Sequence, residues 1–283
     1  MKDPNPWRRF LRPDELRWLE DTEQTWLTAP PPRSKWGAWG EQKLNILVEK
    51  VPENVKTGLV DGVQAALEQM RQGSTWLVSP QAVRQRLGGR LSLAERDEFC
   101  ADLIQTNTTG LTLEGAVAGS AGLVGLVADI PILYCCLFRI IQEISIVYDI
   151  PPDPPQERFH VVQVLELGHS FGNRERASLT AQIFQLQDVI RRGAGLEELE
   201  QLVAQGVRSS GPHAQAIVRN LRIARQLALD LLERKLLQGL FILGSAIGAA
   251  ANYQLARDVG LAARHLYRRR FLQNIALQRL NKP

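Results

Sequence analysis

Two long stretches of the chain carry almost no charge, and they constrain the fold more than any other feature. Between Glu114 and Arg139 lie 24 residues whose only charge is Asp129, and from Leu236 to Ala256 run 21 residues with none. In the first, Gly115, Gly119 and Gly122 stand at i, i+4 and i+7, with Ala118, Gly122 and Gly125 repeating the spacing one step round. On a helix that spacing makes a nearly smooth face to which another backbone can come close. Glycine costs about 1 kcal/mol per helical position relative to alanine, so several together need a packing reason. The second stretch holds Gly239, Gly244 and Gly248 beside Ala249, Ala250 and Ala251, which makes it the natural partner of the first in a helical hairpin.

Length weighs on whether such a hairpin is buried or enters a membrane. Asp129 precedes Pro131 by two residues, where its carboxylate can cap a helix that begins with the proline, so the first stretch is expected to split there. The piece from 113 to 128 would then span roughly 24 Å, short of the ~30 Å hydrocarbon layer, whereas Leu236–Ala256 would reach roughly 31 Å. A buried hairpin and a partly inserted one both remain open.

The rest of the chain reads as helix. Leu44, Leu47, Val48 and Val51 recur at spacings of three and four, and the pattern resumes after Pro52 to about Met70. Further helical patterns cover about 92–106, 113–128, 131–148, 156–171, 174–191, 195–207, 213–237 and 239–273, while no alternating run is long enough for a sheet. The expected fold class is all-α, a multi-helix bundle with a glycine-rich apolar hairpin at its centre. Residues 1–36 form an extension containing Trp7, Trp18, Trp26 and Trp36, set off by Pro30-Pro31-Pro32 from a helical domain over 37–283. No uninterrupted apolar core with a cleavage site stands at the N-terminus, which reads against export. Cys100, Cys135 and Cys136 sit in apolar surroundings and cannot make a disulfide framework, as in a reducing compartment.

The net charge of +4 conceals an asymmetry. From Arg219 to Pro283 there are 12 basic against 3 acidic residues, leaving 22 against 27 in the remainder. On the closing helix Val259, Ala263, Tyr267, Phe271 and Ile275 form one stripe, and Arg257, Arg264 and Arg268 form another beside Arg269. An arginine stripe beside aromatic residues suits an anionic lipid surface, although a solvated helix face would look the same. Nucleic acid ranks below lipid because no DNA-reading motif accompanies the charge.

Motifs for chemistry are missing. His160, His169, His213 and His265 form no zinc spacing, and Glu166–His169 is a single Glu-x-x-His where a di-iron bundle needs two. No phosphate-cradling lysine loop or nucleophile elbow occurs, so no catalytic residue, metal or cofactor is assigned.

The stretches GAVAGSAGLVGLVADIP, RIIQEISIVYDI at 139–150 and IGAAANYQLARDVGLAARHLYRRRFL at 247–272 resemble the signature regions of the EcsC family, and 41–70 resembles its N-terminal region. The likeness covers about 38–275 and leaves the first 36 residues out. Asp129, Arg139, Glu143 and Tyr148 match polar positions of the first signature, and Asn252, Asp258 and Arg270 match those of the second. They could form one polar cluster binding a headgroup or partner; equally, Asp129 could be a cap and Arg139–Glu143 an i,i+4 pair. The family takes its name from a gene neighbouring an ABC transporter. The resemblance therefore implies a non-enzymatic accessory or scaffold protein on the cytoplasmic face, peripheral to or partly inserted in the inner membrane, with anionic lipid and a transporter or other membrane protein as partners. A soluble amphiphile-binding protein and an unrecognised hydrolase or metalloenzyme are the competing classes.

Overall fold

A computed structural model describes residues 6–28, 51–72, 78–89, 92–120, 122–151, 155–170, 176–184 and 245–280. They form a short 3-10 helix at Pro6–Phe10 and helices α1 (Pro13–Thr28), α2 (Glu53–Gln72), α3 (Pro80–Leu87), α4 (Leu93–Ser120), α5 (Gly122–Val147), α6 (Pro155–His169) and α7 (Ser245–Leu280). Residues 176–184 are also helical, and no strand occurs among the described residues. The proline boundary at 30–32, Trp36, Gly244 and the patterns at 195–207 and 213–237 lie outside them.

The core is built round α5. Its stripe Ile130, Leu133, Tyr134, Leu137, Phe138 and Ile141 is at most 1% exposed. At roughly 25 cal/mol per Å2 of buried apolar area, such side chains contribute about 2 kcal/mol each. This stripe also explains why the expected break at Asp129 does not occur. The helix runs through Pro131, because ending it there would throw Ile130 out of register with Leu133, Tyr134 and Leu137. Proline inside a helix removes one hydrogen bond and crowds the preceding turn, at about 3 kcal/mol. The two ends of the stripe together outweigh that cost. Asp129 is therefore inside a helix and not at its N-cap, and the chain reverses between Ser120 and Gly122 instead. Gly115 and Gly119 consequently belong to α4, and Gly122 and Gly125 to α5.

Helices α4 and α5 run antiparallel. Asn107 Nδ2 donates to Glu143 Oε2 at 2.9 Å midway along them, and near the far end the Tyr148 hydroxyl donates to Asp97 and Arg96 donates to the Val147 carbonyl. Asp149, just past α5, is in the left-handed region at φ 56°. The reversal lets the Ile150 N–H reach the Ser145 carbonyl at 2.9 Å, and Arg96 holds the Asp149 carboxylate at 2.8 Å.

Close backbone approach occurs at glycines other than the expected ones. A methyl group on Gly168 of α6 would stand 2.6 Å from the Cα of Val259 on α7, and one on Gly260 would stand 2.7 Å from Cγ1 of Ile104 on α4. The contacts made by Gly115, Gly119, Gly122, Gly125 and Gly248 fall outside the described side chains.

The N-terminal segment packs on the far part of α7. Trp7, Leu19, Leu272 and Ala276 form a second, smaller apolar cluster with Phe10, Leu11, Leu93 and Leu277 around them. Trp26 reaches the main core instead and stacks on His265 with centroids 5.6 Å apart. These tryptophans dock the extension to the bundle.

Candidate functional site

Helix α7 carries the four arginines that the sequence set on an exposed stripe, and two of them are inside. Arg257 is exposed, and the Arg264 side chain is 30% exposed. Arg268 and Arg269 retain only 2% and 4% of their exposure, so they cannot serve as surface contacts for lipid. Helices α1, α4, α5 and α6 all pack on α7, which covers the face that carries Arg268 and Arg269, and each of these guanidinia meets a carboxylate from another helix. Arg268 lies 2.9 Å from Asp97 of α4 and 4.0 Å over the Trp18 ring. Arg269 lies 3.5 Å from Glu23 of α1 and 3.4 Å over Phe184. Arg270 makes a two-pronged bond to Glu157 of α6, one arm at 2.7 Å. A buried cation is tolerated only with such partners, since desolvation otherwise costs several kcal/mol. Burial lowers the affinity of Arg268 for its proton, against the pull of Asp97. Burial acts the same way on Arg270, but the bond and charge of Glu157 outweigh it.

The signature residues are distributed over separate groups. Tyr148 shares Asp97 with Arg264 and Arg268; burial and the neighbouring Cys100 and Asp97 push its hydroxyl pKa well up. Arg270 belongs with Glu157, while Asn252 is fully buried and Asp258 half-buried on α7. Arg139 and Glu143 form the i,i+4 pair, at 3.3 Å. The Asp129 side chain is outside the described set.

Sequence reasoning missed the partners: Asp97, Glu157, Glu23, Asn107 and Arg86. One signal was available, the acidic surplus of the first 218 residues facing the basic surplus of the last 65.

Around Glu143 the geometry is different. The carboxylate is 3% exposed, yet its Oε1 draws two guanidinia that are each half in solvent, Arg139 at 3.3 Å and Arg86 of α3 at 3.9 Å. Helix α3 is fixed by the Ser79 cap on the Ala82 N–H and Pro80 at its start, and by Gly88 at φ 74° at its end. Val83 and Leu87 bury one face, and Arg86 leans over Phe99 at 5.6 Å.

Among the described residues, the groups that could do chemistry are held in structural contacts. Burial pushes the Cys100 thiol up to about 12 and raises Cys135, so neither is a ready nucleophile. His169 Nδ1 lies 2.9 Å from the Leu165 carbonyl, which can only accept; Nδ1 therefore carries the hydrogen, and Nε2 is left for the Tyr134 hydroxyl at 3.3 Å. Both nitrogens are engaged within the protein. Among the described residues no three His, Cys, Asp or Glu side chains come together as a metal site. An open groove of about 580 Å3 between α1 and α4 is lined by charges of both signs, including Arg12, Asp14, Arg17 and Asp21, with Trp18.

The fold and these groups define a helical bundle protein locked by internal ion pairs. The sequence pattern described as the EcsC protein family matches residues 15–272, and the chain belongs to that family. The match takes in most of α1, which the motif resemblance left out. Protein EcsC of Bacillus subtilis (strain 168) is 24% identical over 229 residues, covering 81% of this chain and 84% of the relative. A protein of the same organism called uncharacterized protein YdbA is 20% identical over 272 residues, covering 90% and 89%. No solved structure matches the chain.

Proposed function

We propose that the protein is a non-enzymatic accessory or scaffold protein that sits on the cytoplasmic face of the inner membrane, dipping the end of the α4–α5 hairpin into it and engaging a membrane protein such as a transporter. The observation that carries this reading is where charge stops along the hairpin. From Gly115 to Ala128 there is no charged residue, with Glu114 and Asp129 at the two feet. About six residues per helix rise beyond those feet, roughly 9 Å at 1.5 Å per residue, which matches the ~5–10 Å depth of interfacially bound segments. Just below the feet Pro131 and Ile132 are exposed, Ile132 at 50%, beside a stripe that is otherwise buried.

Crossing the bilayer is a different matter. The apolar span Ile130–Val147 is 72% buried inside the protein, as a core helix is. Burial of Arg268 and Arg269 also moves the weight of the reading from electrostatics to insertion. Flotation of the full chain with vesicles at low and high salt tests it. Insertion predicts binding that survives 1 M salt, where the Debye length falls to ~3 Å, and that is lost in Leu126→Glu and Ile132→Glu. A wild-type protein that stays in the unbound fraction at every salt concentration overturns the reading.

A further inference from the structure

We infer that Arg86 and Arg139, gathered on the buried carboxylate of Glu143, form a clamp for the phosphate of an anionic lipid headgroup. The inference rests on the membrane reading above and assigns the lipid chemistry that reading leaves open.

Three observations support it. First, the charges do not balance: one carboxylate faces two guanidinia, and among the described residues neither arginine has another ion pair or hydrogen bond. A guanidinium carries five N–H donors in a rigid fork. Arg139 commits Nε to Glu143, and Arg86 approaches the same oxygen without a hydrogen bond, so most donors face water. Second, the pair is organised in advance. Arg86 comes from α3 and Arg139 from α5, yet both lean on Glu143 Oε1, while Oε2 is taken by Asn107 of α4. The phosphate therefore meets two guanidinia already side by side, and less side-chain entropy is lost on binding. Third, the face is right. Arg139 is seven residues from Ile132, two turns further along the same exposed face of α5. With Asp129 at the hydrocarbon boundary, Arg139 stands roughly 15 Å outward, and its long side chain can extend back toward the phosphate layer.

Arg12 and Arg279 also meet on a buried carboxylate, Glu15, but there Arg279 gives both of its terminal nitrogens to Glu15 and the Phe10 carbonyl. Arg17 and Arg257 have no acceptor that draws a second cation to them among the described contacts.

Flotation with vesicles of phosphatidylcholine alone, or with added phosphatidylglycerol, tests the clamp on the full chain. The wild type is expected to prefer the anionic vesicles, and Arg86→Gln/Arg139→Gln to lose roughly 30-fold of that preference, the value of two arginines at an anionic surface. Its binding to neutral vesicles should persist. An unchanged thermal melt of the double variant shows that the loss is not unfolding. Arg17→Gln/Arg257→Gln serves as the control for diffuse charge and should keep the preference within about twofold. Equal losses in the two double variants overturn the clamp, as does a preference that survives in Arg86→Gln/Arg139→Gln. Wild-type binding to both vesicle types without preference removes the clamp and leaves the hairpin reading standing; no binding to either removes both. Inorganic phosphate that binds the lipid-free wild type but not the Arg86→Gln/Arg139→Gln variant, and competes with neither vesicle, assigns the site to a soluble anion and overturns the lipid assignment.

Discussion

Arg279 holds Glu15 through two parallel hydrogen bonds of 2.6 and 2.8 Å and a third bond of 3.0 Å to the Phe10 carbonyl, joining positions at opposite ends of the chain. Glu15 is 2% exposed and also accepts from the Arg12 backbone N–H at 2.8 Å. Burial works to raise its pKa, but these donors hold the carboxyl below its ordinary value. We expect Arg279→Ala to cost about 1–3 kcal/mol, since charge-assisted bonds are lost while Arg12 still serves the carboxylate. Glu15→Ala/Arg279→Ala should cost less than the two single changes added together, measured by urea unfolding. Additive costs would mean that the pair is not coupled.

Asp97 neutralises more than one cation. Arg268 and Arg264 approach it at 2.9 and 3.7 Å, and the Tyr148 hydroxyl donates to it. Asp97→Ala leaves Arg268 buried without a counter-charge and is expected to cost about 3–5 kcal/mol. Arg264→Ala, with its side chain 30% exposed, should cost about 1 kcal/mol or less. Equal melting temperatures for the two variants would contradict this ordering.

Gly168 and Gly260 differ in what an added methyl group meets. At Gly168 it meets the Val259 backbone at 2.6 Å, and at Gly260 the movable side chain of Ile104. Gly168→Ala should therefore destabilise by about 2–3 kcal/mol or more, and Gly260→Ala by less, because the gain in helix propensity of ~1 kcal/mol offsets part of the strain. Thermal denaturation of the two variants reads the difference.

Two histidines set a dependence on pH. Burial lowers His160 to about 4 and His265 to about 3, with Arg270 adding to the first and Arg269 to the second. In the unfolded chain both protonate near 6.5. As pH falls from about 6.5 to 4 the unfolded state binds protons that the folded state refuses, so stability is lost at about 1.4 kcal/mol per pH unit for each histidine. Urea midpoints should be level above pH 7 and fall steeply below 6. Among the described residues neither nitrogen of His265 has a hydrogen-bond partner, and its ring stacks on Trp26. His265→Phe should keep its stability at pH 7 and remove about half of the histidine slope. An unchanged slope in that variant would place the acid sensitivity elsewhere.

Periodicity made the all-helical class readable, and Arg139–Glu143 was readable because both partners lie on one helix. Rules confined to a few residues failed at Pro131. An aspartate two positions before a proline has the form of a helix start, but the stripe from Ile130 to Ile141 crosses it, and buried area outweighed the local signal. The arginines of α7 were misplaced for a related reason. Amphipathic reading assigns charge to water, and nothing local to Arg268 or Arg269 discloses that Asp97 and Glu23 arrive from far away in sequence. Arg86 was likewise invisible beside Glu143, since only the packing of α3 brings them together.

The placement of these carboxylates has a consequence for the order of events during synthesis. Glu15, Glu23, Asp97 and Glu157 are all translated well before the arginines that they face on α7. Until α7 emerges, the nascent bundle has Asp97 and Glu157 without the arginines they face, Glu15 and Glu23 with only Arg12 and Arg8, and the α4–α6 surface without its cover. Such contacts, distant along the chain, close late and slowly. The partly made protein therefore depends on solvent, salt or a chaperone to keep those surfaces apart, and assembles as a unit only when its last helix arrives.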